Sequence, residues 1–235
     1  MPARSALLLV LLAASAGASA QPLVTDRPDF TESVVAVRGV QVEAGLTISD
    51  DGATAVSGPE ALVRVGVGRG VEVRLGLPDY VAVDGDGGLA DPSVGAKVEL
   101  GTAAGWGLAA IAEVSLPLGS DGFGSGEAAP LVLLIAGRDV GAFSVGTQGE
   151  LAWDLSADRL DVGGTLVVGR GLGARAGTFV EGAVASVAVG SLAVVLHHGY
   201  TLLLAPTLQV DARVGAGLTE TAPNVFGGLG LSARF

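Results

Sequence analysis

Cysteine is absent from this 235-residue chain, so it offers no disulfide framework, no thiolate metal site and no thiol nucleophile. Aromatic residues make up only 4% of it, and its two histidines are the adjacent pair His197 and His198. A soluble core draws much of its packing from aromatic rings, which are scarce here. Basic residues are also few: 13 against 24 acidic ones, for a formal charge of −11. That balance argues against a nucleic-acid partner, since phosphate binding needs clustered Lys and Arg. What the chain has instead is 38 glycines and a mean hydropathy of +0.58. Glycine weakens ordinary elements, and no segment reads convincingly as a membrane helix. A barrel whose apolar face is turned outward to lipid accounts for both facts.

The amino terminus reads as a targeting segment. Arg4 supplies a positive region, Ala6 to Leu12 an apolar run and Ala18-Ser19-Ala20 a small-residue cleavage pattern. The spacing predicts a signal peptide over 1–20, an amino-terminal box over 21–37 and a transmembrane barrel over 38–235. No cofactor is expected.

Beyond the box, apolar and polar residues alternate with period two, as in a half-buried strand. Val40, Val42, Ala44, Leu46 and Ile48 alternate with Gln41, Glu43, Thr47 and Ser49. Later, Leu208, Val210, Ala212, Val214 and Ala216 stand against Gln209, Asp211 and Arg213. Twelve such segments can be traced, and the chain reads as an all-β, antiparallel up-and-down barrel of about twelve strands. Ten or fourteen remain open, because the segment around Leu131 to Ala136 is apolar on both faces. The closing segment ends on Phe235, with Ala233, Leu231 and Leu229 on the same side.

Connections near 49–60, 78–92, 118–129, 153–160 and 219–224 are long or polar, and those near 68–70, 101–105, 137–141, 169–173 and 204–207 are short. This alternation fits extracellular loops and periplasmic turns. Val189-Gly190-Ser191 breaks the rule, being short where a long loop is due. Two rivals remain at this stage: a spanning helix in 182–205, which would bury both histidines in hydrocarbon, and a soluble sandwich.

The least generic stretch is Thr25-Asp26-Arg27-Pro28-Asp29-Phe30-Thr31-Glu32-Ser33. Pro28 fixes its own φ and biases Arg27 toward an extended conformation, so an ordered cap or loop is expected. The bland reading of Arg27 among Asp26, Asp29 and Glu32 is a tie to the barrel mouth or lumen; the sharper one is a solute-binding role. Followed by Val40-Gln41-Val42-Glu43-Ala44-Gly45, this box resembles the outer-membrane family labelled "putative MetA-pathway of phenol degradation". The resemblance runs from the box to Phe235. It implies a barrel in the cell outer membrane that passes small hydrophobic or aromatic compounds, with the terminal Phe read by the barrel assembly machinery.

The inward set on this reading is Glu43, Arg64, Glu72, Arg74, Lys97, Glu99, Glu113, Glu150, Arg175, Glu181, Asp211 and Arg213. Both signs are interspersed, which suggests cross-strand ion pairs that either line a narrow channel or knit across it. The first functional reading is a passive channel, its mouth shaped near Tyr80, Phe123 and Trp153, with outer-membrane lipid and a small hydrophobic solute as partners. The second is a structural barrel with a plugged lumen. A third, a lipid-acting enzyme, would have to use His197 with Glu181 or Asp211 and Ser186; no Gly-x-Ser-x-Gly elbow is present, and non-enzymatic function is favoured. Glycine-rich runs such as Gly85-Asp86-Gly87-Gly88 open no helix after a strand and read as turns. Asp84, Asp86 and Asp91 could hold Ca²⁺, although a solvated acidic loop explains them as well.

Overall fold

The computed structural model describes residues 23–188 and 191–235, without the side chains of 187 and 188. The signal-peptide reading of 1–20 and the hairpin tip at Val189 and Gly190 lie outside the described residues. The elements are β1 (Val40–Asp50), β2 (Thr54–Gly58), β3 (Leu62–Gly68), β4 (Val71–Gly76), β5 (Tyr80–Val83), β6 (Asp86–Leu89), β7 (Ser93–Ala103) and β8 (Trp106–Ser115). They continue with β9 (Ala129–Val140), β10 (Phe143–Asp154), β11 (Arg159–Gly171), β12 (Ala176–Ala188), β13 (Ser191–Ala205), β14 (Leu208–Gly217) and β15 (Val225–Arg234).

Every pairing is antiparallel, and β15 pairs back onto β1 from Gln41↔Arg234 to Asp50↔Val225, which closes the sheet on itself. The wall has twelve strands: β1, β3, β4 and β7 to β15. The short segments β2, β5 and β6 continue the lines of β3, β4 and β7 toward the extracellular end, where β1 pairs with β2 and β2 with β5. The connections expected near 49–60 and 78–92 are therefore mostly strand, turning at 51–53 and 84–85. Glycine and proline there mark kinks in the wall, not loops: β2 ends at Gly58-Pro59, and Glu60 takes a positive φ of 43° before β3 begins. The longest described connection is 116–128. The segment 182–205 forms parts of β12 and β13, which removes the helix reading.

The surface is inverted relative to a soluble protein. Leu134, Val214 and Leu229 are 60%, 58% and 65% exposed, while Glu43, Arg64, Glu72, Lys97 and Glu181 are fully buried. A belt of exposed apolar side chains around a closed sheet suits a bilayer, and the twelve wall strands are paired on both sides. The register that the sequence left open on β9 is set from inside: Leu133 and Ile135 pack inward with Ala109, Ile111 and Val34, and Leu134 turns out to lipid. Trp153 pairs with Leu160 on the lipid-facing parity of Leu151 and Val162, so it is not part of the mouth. The first barrel strand begins at Val40, the residue where the alternation starts.

Candidate functional site: a lumen divided by the amino-terminal hairpin

The box residues lie inside the barrel. The chain climbs from Val24, whose carbonyl accepts from Gln41 Nε2 at 2.7 Å, to Arg27, whose guanidinium occupies the space beside Gly45. It turns over through Pro28 to Phe30 and descends to Val37, whose carbonyl oxygen would lie 2.0 Å from a Cβ on Gly66. Only glycine lets the wall and this limb approach so closely. Asp26 and Ser33 clasp the two limbs: Ser33 N–H and Oγ both donate to Asp26 Oδ1, at 2.9 and 2.7 Å.

Asp26 is also the hub for the wall. Its Oδ2 accepts from Arg74 Nη1 at 2.5 Å and Lys97 Nζ at 3.0 Å, and lies 3.2 Å from Arg64 Nη1. Arg64 further donates to Glu43 (2.8 Å) and Glu72 (2.9 Å), and Arg74 to Glu72 (3.0 Å) and Glu32 (2.9 Å). The wall register explains why the hub is needed. Arg64 sits directly opposite Arg74, a like-charge pair that destabilises a sheet unless an anion bridges it. Cross-strand pairing of opposite signs holds for Glu72↔Lys97 but not for this pair.

A second anchor lies across the lumen. Glu181 on β12 accepts from Phe30 N–H (2.6 Å), Thr31 Oγ1 and His197 Nε2. His197 is packed between the rings of Phe30, Phe179 and Phe226 at centroid distances of 4.5, 5.4 and 5.7 Å. Ser186 bonds instead to Val162 N–H and Asp161, so no Ser–His–acid arrangement is assembled. At the hairpin tip, Arg27 pairs with Glu60 at 2.6 Å and lies 3.8 Å from Asp211. Arg213 donates to the Pro28 carbonyl and to Thr47, and its guanidinium covers the Phe30 ring at 4.9 Å.

Of the remaining inward candidates, Glu113 approaches Arg74 at 3.7 Å and Glu150 lines the extracellular-side cavity. Glu99 is exposed at the periplasmic rim, where it accepts from Ala36 N–H. Arg175 is a correction: it lies exposed in the turn before β12, because that strand starts at Ala176 and the alternation cannot extend to it. Sequence reading missed Glu60, which sits beside Pro59 in a stretch that reads as loop. The alternation puts Gln148 and Thr165 on the polar face of their strands, but as neutral side chains they were left out of the inward charged set.

Empty space lies on both sides of the hairpin. A cavity of about 640 Å³ opens on the extracellular side, with Leu131, Leu133, Ala183, Ala193 and Val195 on its apolar walls and Arg27, Asp29, Phe30 and Glu32 at its floor. One of about 430 Å³ lies on the periplasmic side, between Val34, Gly137 and Ser144. Asp29 and Glu32 line both. The hairpin is thus the partition between them.

At the outer end, Asp91 is taken up by the 116–128 connection and not by Asp84 or Asp86. It accepts from the backbone of Leu118, Gly119 and Ser125 and from Ser125 Oγ. Among the described residues no group of three or more His, Asp or Glu is placed to hold a metal ion. The Ser125 hydroxyl, then the backbone donors, hold the Asp91 carboxyl below the usual carboxylate range. A lowered value stabilises the loop fully above the ordinary carboxylate pKa, and the contribution is lost as pH falls through the depressed one. Protease cleavage within 116–128 should therefore stay slow down to roughly pH 4 and accelerate below it, and Asp91→Ala should be cleaved rapidly at neutral pH. Equal cleavage of variant and parent would refute the clasp.

A sequence profile of the family described as "Putative MetA-pathway of phenol degradation" matches residues 25–235. No curated protein sequence matches the chain. Among solved structures, an outer membrane channel from Pseudomonas putida F1 superposes with a TM-score of 0.68 at 13% identity, covering 90% of this chain and 100% of that one. KdgM porin gives 0.61 at 10% identity over 83% and 99%. NanC porin gives 0.60 at 9% over 84% and 100%. At such identities the likeness is one of fold.

Proposed function

We propose that this chain, which belongs to the family described as "Putative MetA-pathway of phenol degradation", is a passive outer-membrane channel for small, weakly polar compounds, aromatic ones included. The observation that carries the reading is the pair of cavities meeting at Asp29 and Glu32. The extracellular cavity has an apolar wall on β9, β12 and β13 and a charged floor, a lining suited to a solute with an apolar body and one polar edge. Passage needs diffusion down a gradient and displacement of the partition. It involves no bond-making step, so no catalytic residue is assigned. The closing strand with Phe235 is the proposed signal for the assembly machinery, and lipid the proposed surrounding partner.

A second reading, a structural barrel with a permanently blocked lumen, is favoured by the buried ion pairs that fasten the hairpin to the wall. Uptake of a labelled monocyclic aromatic into vesicles with a lipopolysaccharide outer leaflet separates the two. On the channel reading, the protein accelerates uptake over empty vesicles, and Ala193→Trp, which narrows the extracellular cavity from its β13 wall and removes none of the hairpin's ion pairs, slows it several-fold. Uptake no faster than in empty vesicles, from protein confirmed as folded by heat-modifiable gel migration, would establish the blocked barrel.

A further inference from the structure

The geometry points to a binding site for an anionic phospholipid of the periplasmic leaflet on the outer wall of β8 to β11. Trp106 and Arg138 lie side by side at the periplasmic ends of β8 and β9, and the Arg138 guanidinium stands 5.4 Å from the indole centroid. On the next two strands Arg170 lies opposite Phe143, its guanidinium 5.6 Å from that ring. All four side chains share the parity of the exposed Leu134, Leu166 and Val168, so they face lipid and not the lumen. Strand spacing and rise put Arg138 and Arg170 about 12 Å apart at Cα, with Phe143 between their strands.

Three features fit a phospholipid and not a generic wet surface. Neither arginine has a carboxylate partner among the described residues, although the chain has an excess of acids. Stacking on a ring occupies a guanidinium face and leaves the N–H edge free to donate to a phosphodiester. Below the arginines, the outward residues of the same strands form a surface on which acyl chains can lie, apolar but for Thr147, whose hydroxyl donates to the Thr165 carbonyl, and the aromatic rings sit at the depth of the headgroups. The opposite rim carries Asp50, Asp51, Asp84, Asp121, Asp158 and Glu220, and its Arg159 is taken up by Asp154 and Asp161. The periplasmic rim has acids as well, Glu99 and Asp139, but neither forms an ion pair with Arg138 or Arg170, so the preference for anionic lipid rests on these two arginines.

The test is native mass spectrometry of the barrel released from mixed vesicles of phosphatidylglycerol and phosphatidylethanolamine. The parent should retain phosphatidylglycerol preferentially. An arginine near an anionic surface contributes about a fivefold preference, so Arg138→Gln/Arg170→Gln should lower that preference by roughly twentyfold. An Arg69→Gln/Arg175→Gln control, which neutralises two turn arginines of the same rim, should leave most of it. Heat-modifiable migration confirms that each variant is folded. The proposal is overturned if the parent retains both lipids equally, a result that needs no variant. It is also overturned if the control loses as much as the site variant, or if excess inorganic phosphate strips the lipid, which would mean a simple anion site.

Discussion

Deletion of residues 24–37 is expected to leave a folded twelve-strand barrel whose single-channel conductance rises several-fold over that of the full chain. The wall does not depend on the hairpin for closure: β15 and β1 pair along ten residues each, and every other neighbour is held by its own ladder. Nor are the wall charges stranded when the whole hairpin goes. With the partition absent, water reaches Glu43, Arg64, Glu72, Arg74 and Lys97, and hydrated charges carry little of the penalty that buried unpaired ones do. Twelve strands enclose a bore wider than the eight-strand kind that side chains fill. In planar bilayers the deletion should therefore give steady openings larger than the parent's. Unchanged conductance from a heat-modifiable deletion variant would mean that the hairpin is not the barrier, and the constriction would have to be sought among the wall side chains.

How much of this was legible beforehand depends on which periodicity carried the information. The wall was, because lipid on one side and polar lumen on the other impose a period of two that the exposed Leu229 and Leu231 and the buried Ser232 still display in the last strand. It failed where both faces are apolar, as on β9: Leu133 and Ile135 pack on Ile111 and Val34 inside the barrel, and only the packing separates them from Leu134. The strand extensions at β2 and β5 were hidden by Gly58, Pro59, Glu60 and Asp79, residues that locally signal a turn but here kink a wall already held by neighbours. The location of the box was half legible. Its Arg and carboxylates suggested a tie to the barrel, yet nothing in the sequence placed Asp26 opposite Arg64, Arg74 and Lys97. That coincidence depends on the relative register of β3, β4 and β7, which alternation constrains only to within two residues. The roles of Glu60 and Thr165 were hidden for the same reason, since they arise where the hairpin lands, although alternation did place Thr165 on the polar face of its strand.

Asp26→Asn is expected to destabilise the barrel and loosen the hairpin, although it improves the charge count of the cluster. Asp26, Glu32, Glu43 and Glu72 against Arg64, Arg74 and Lys97 sum to −4 + 3 = −1, and the substitution brings the total to zero. Geometry decides the outcome, not the sum. Arg64 keeps Glu43 and Glu72 at 2.8 and 2.9 Å, and Arg74 keeps Glu32 and Glu72 at 2.9 and 3.0 Å. Lys97 loses its closest carboxylate oxygen and keeps Glu32 and Glu72 at 3.6 and 3.7 Å, the Ser33 hydroxyl at 3.2 Å and, at 3.1 Å, the Oδ1 position that the Asn carbonyl retains. The Asn carbonyl can still accept from Ser33, whereas its NH2 at the Oδ2 position turns a donor toward Arg74, Lys97 and Arg64, so the change removes an acceptor together with the charge. Breaking a buried ion pair costs about 3 kcal/mol, and the expected result is a lowered unfolding temperature with faster proteolysis of the amino-terminal segment. Because Lys97 keeps only the longer carboxylate contacts, the double variant Asp26→Asn/Lys97→Met should recover part of the loss, whereas Asp26→Asn/Glu113→Gln should recover none. Thermal unfolding followed by heat-modifiable migration reads all three. A double variant no more stable than Asp26→Asn alone would place the strain elsewhere, in the facing guanidinium groups of Arg64 and Arg74 that Asp26 bridges.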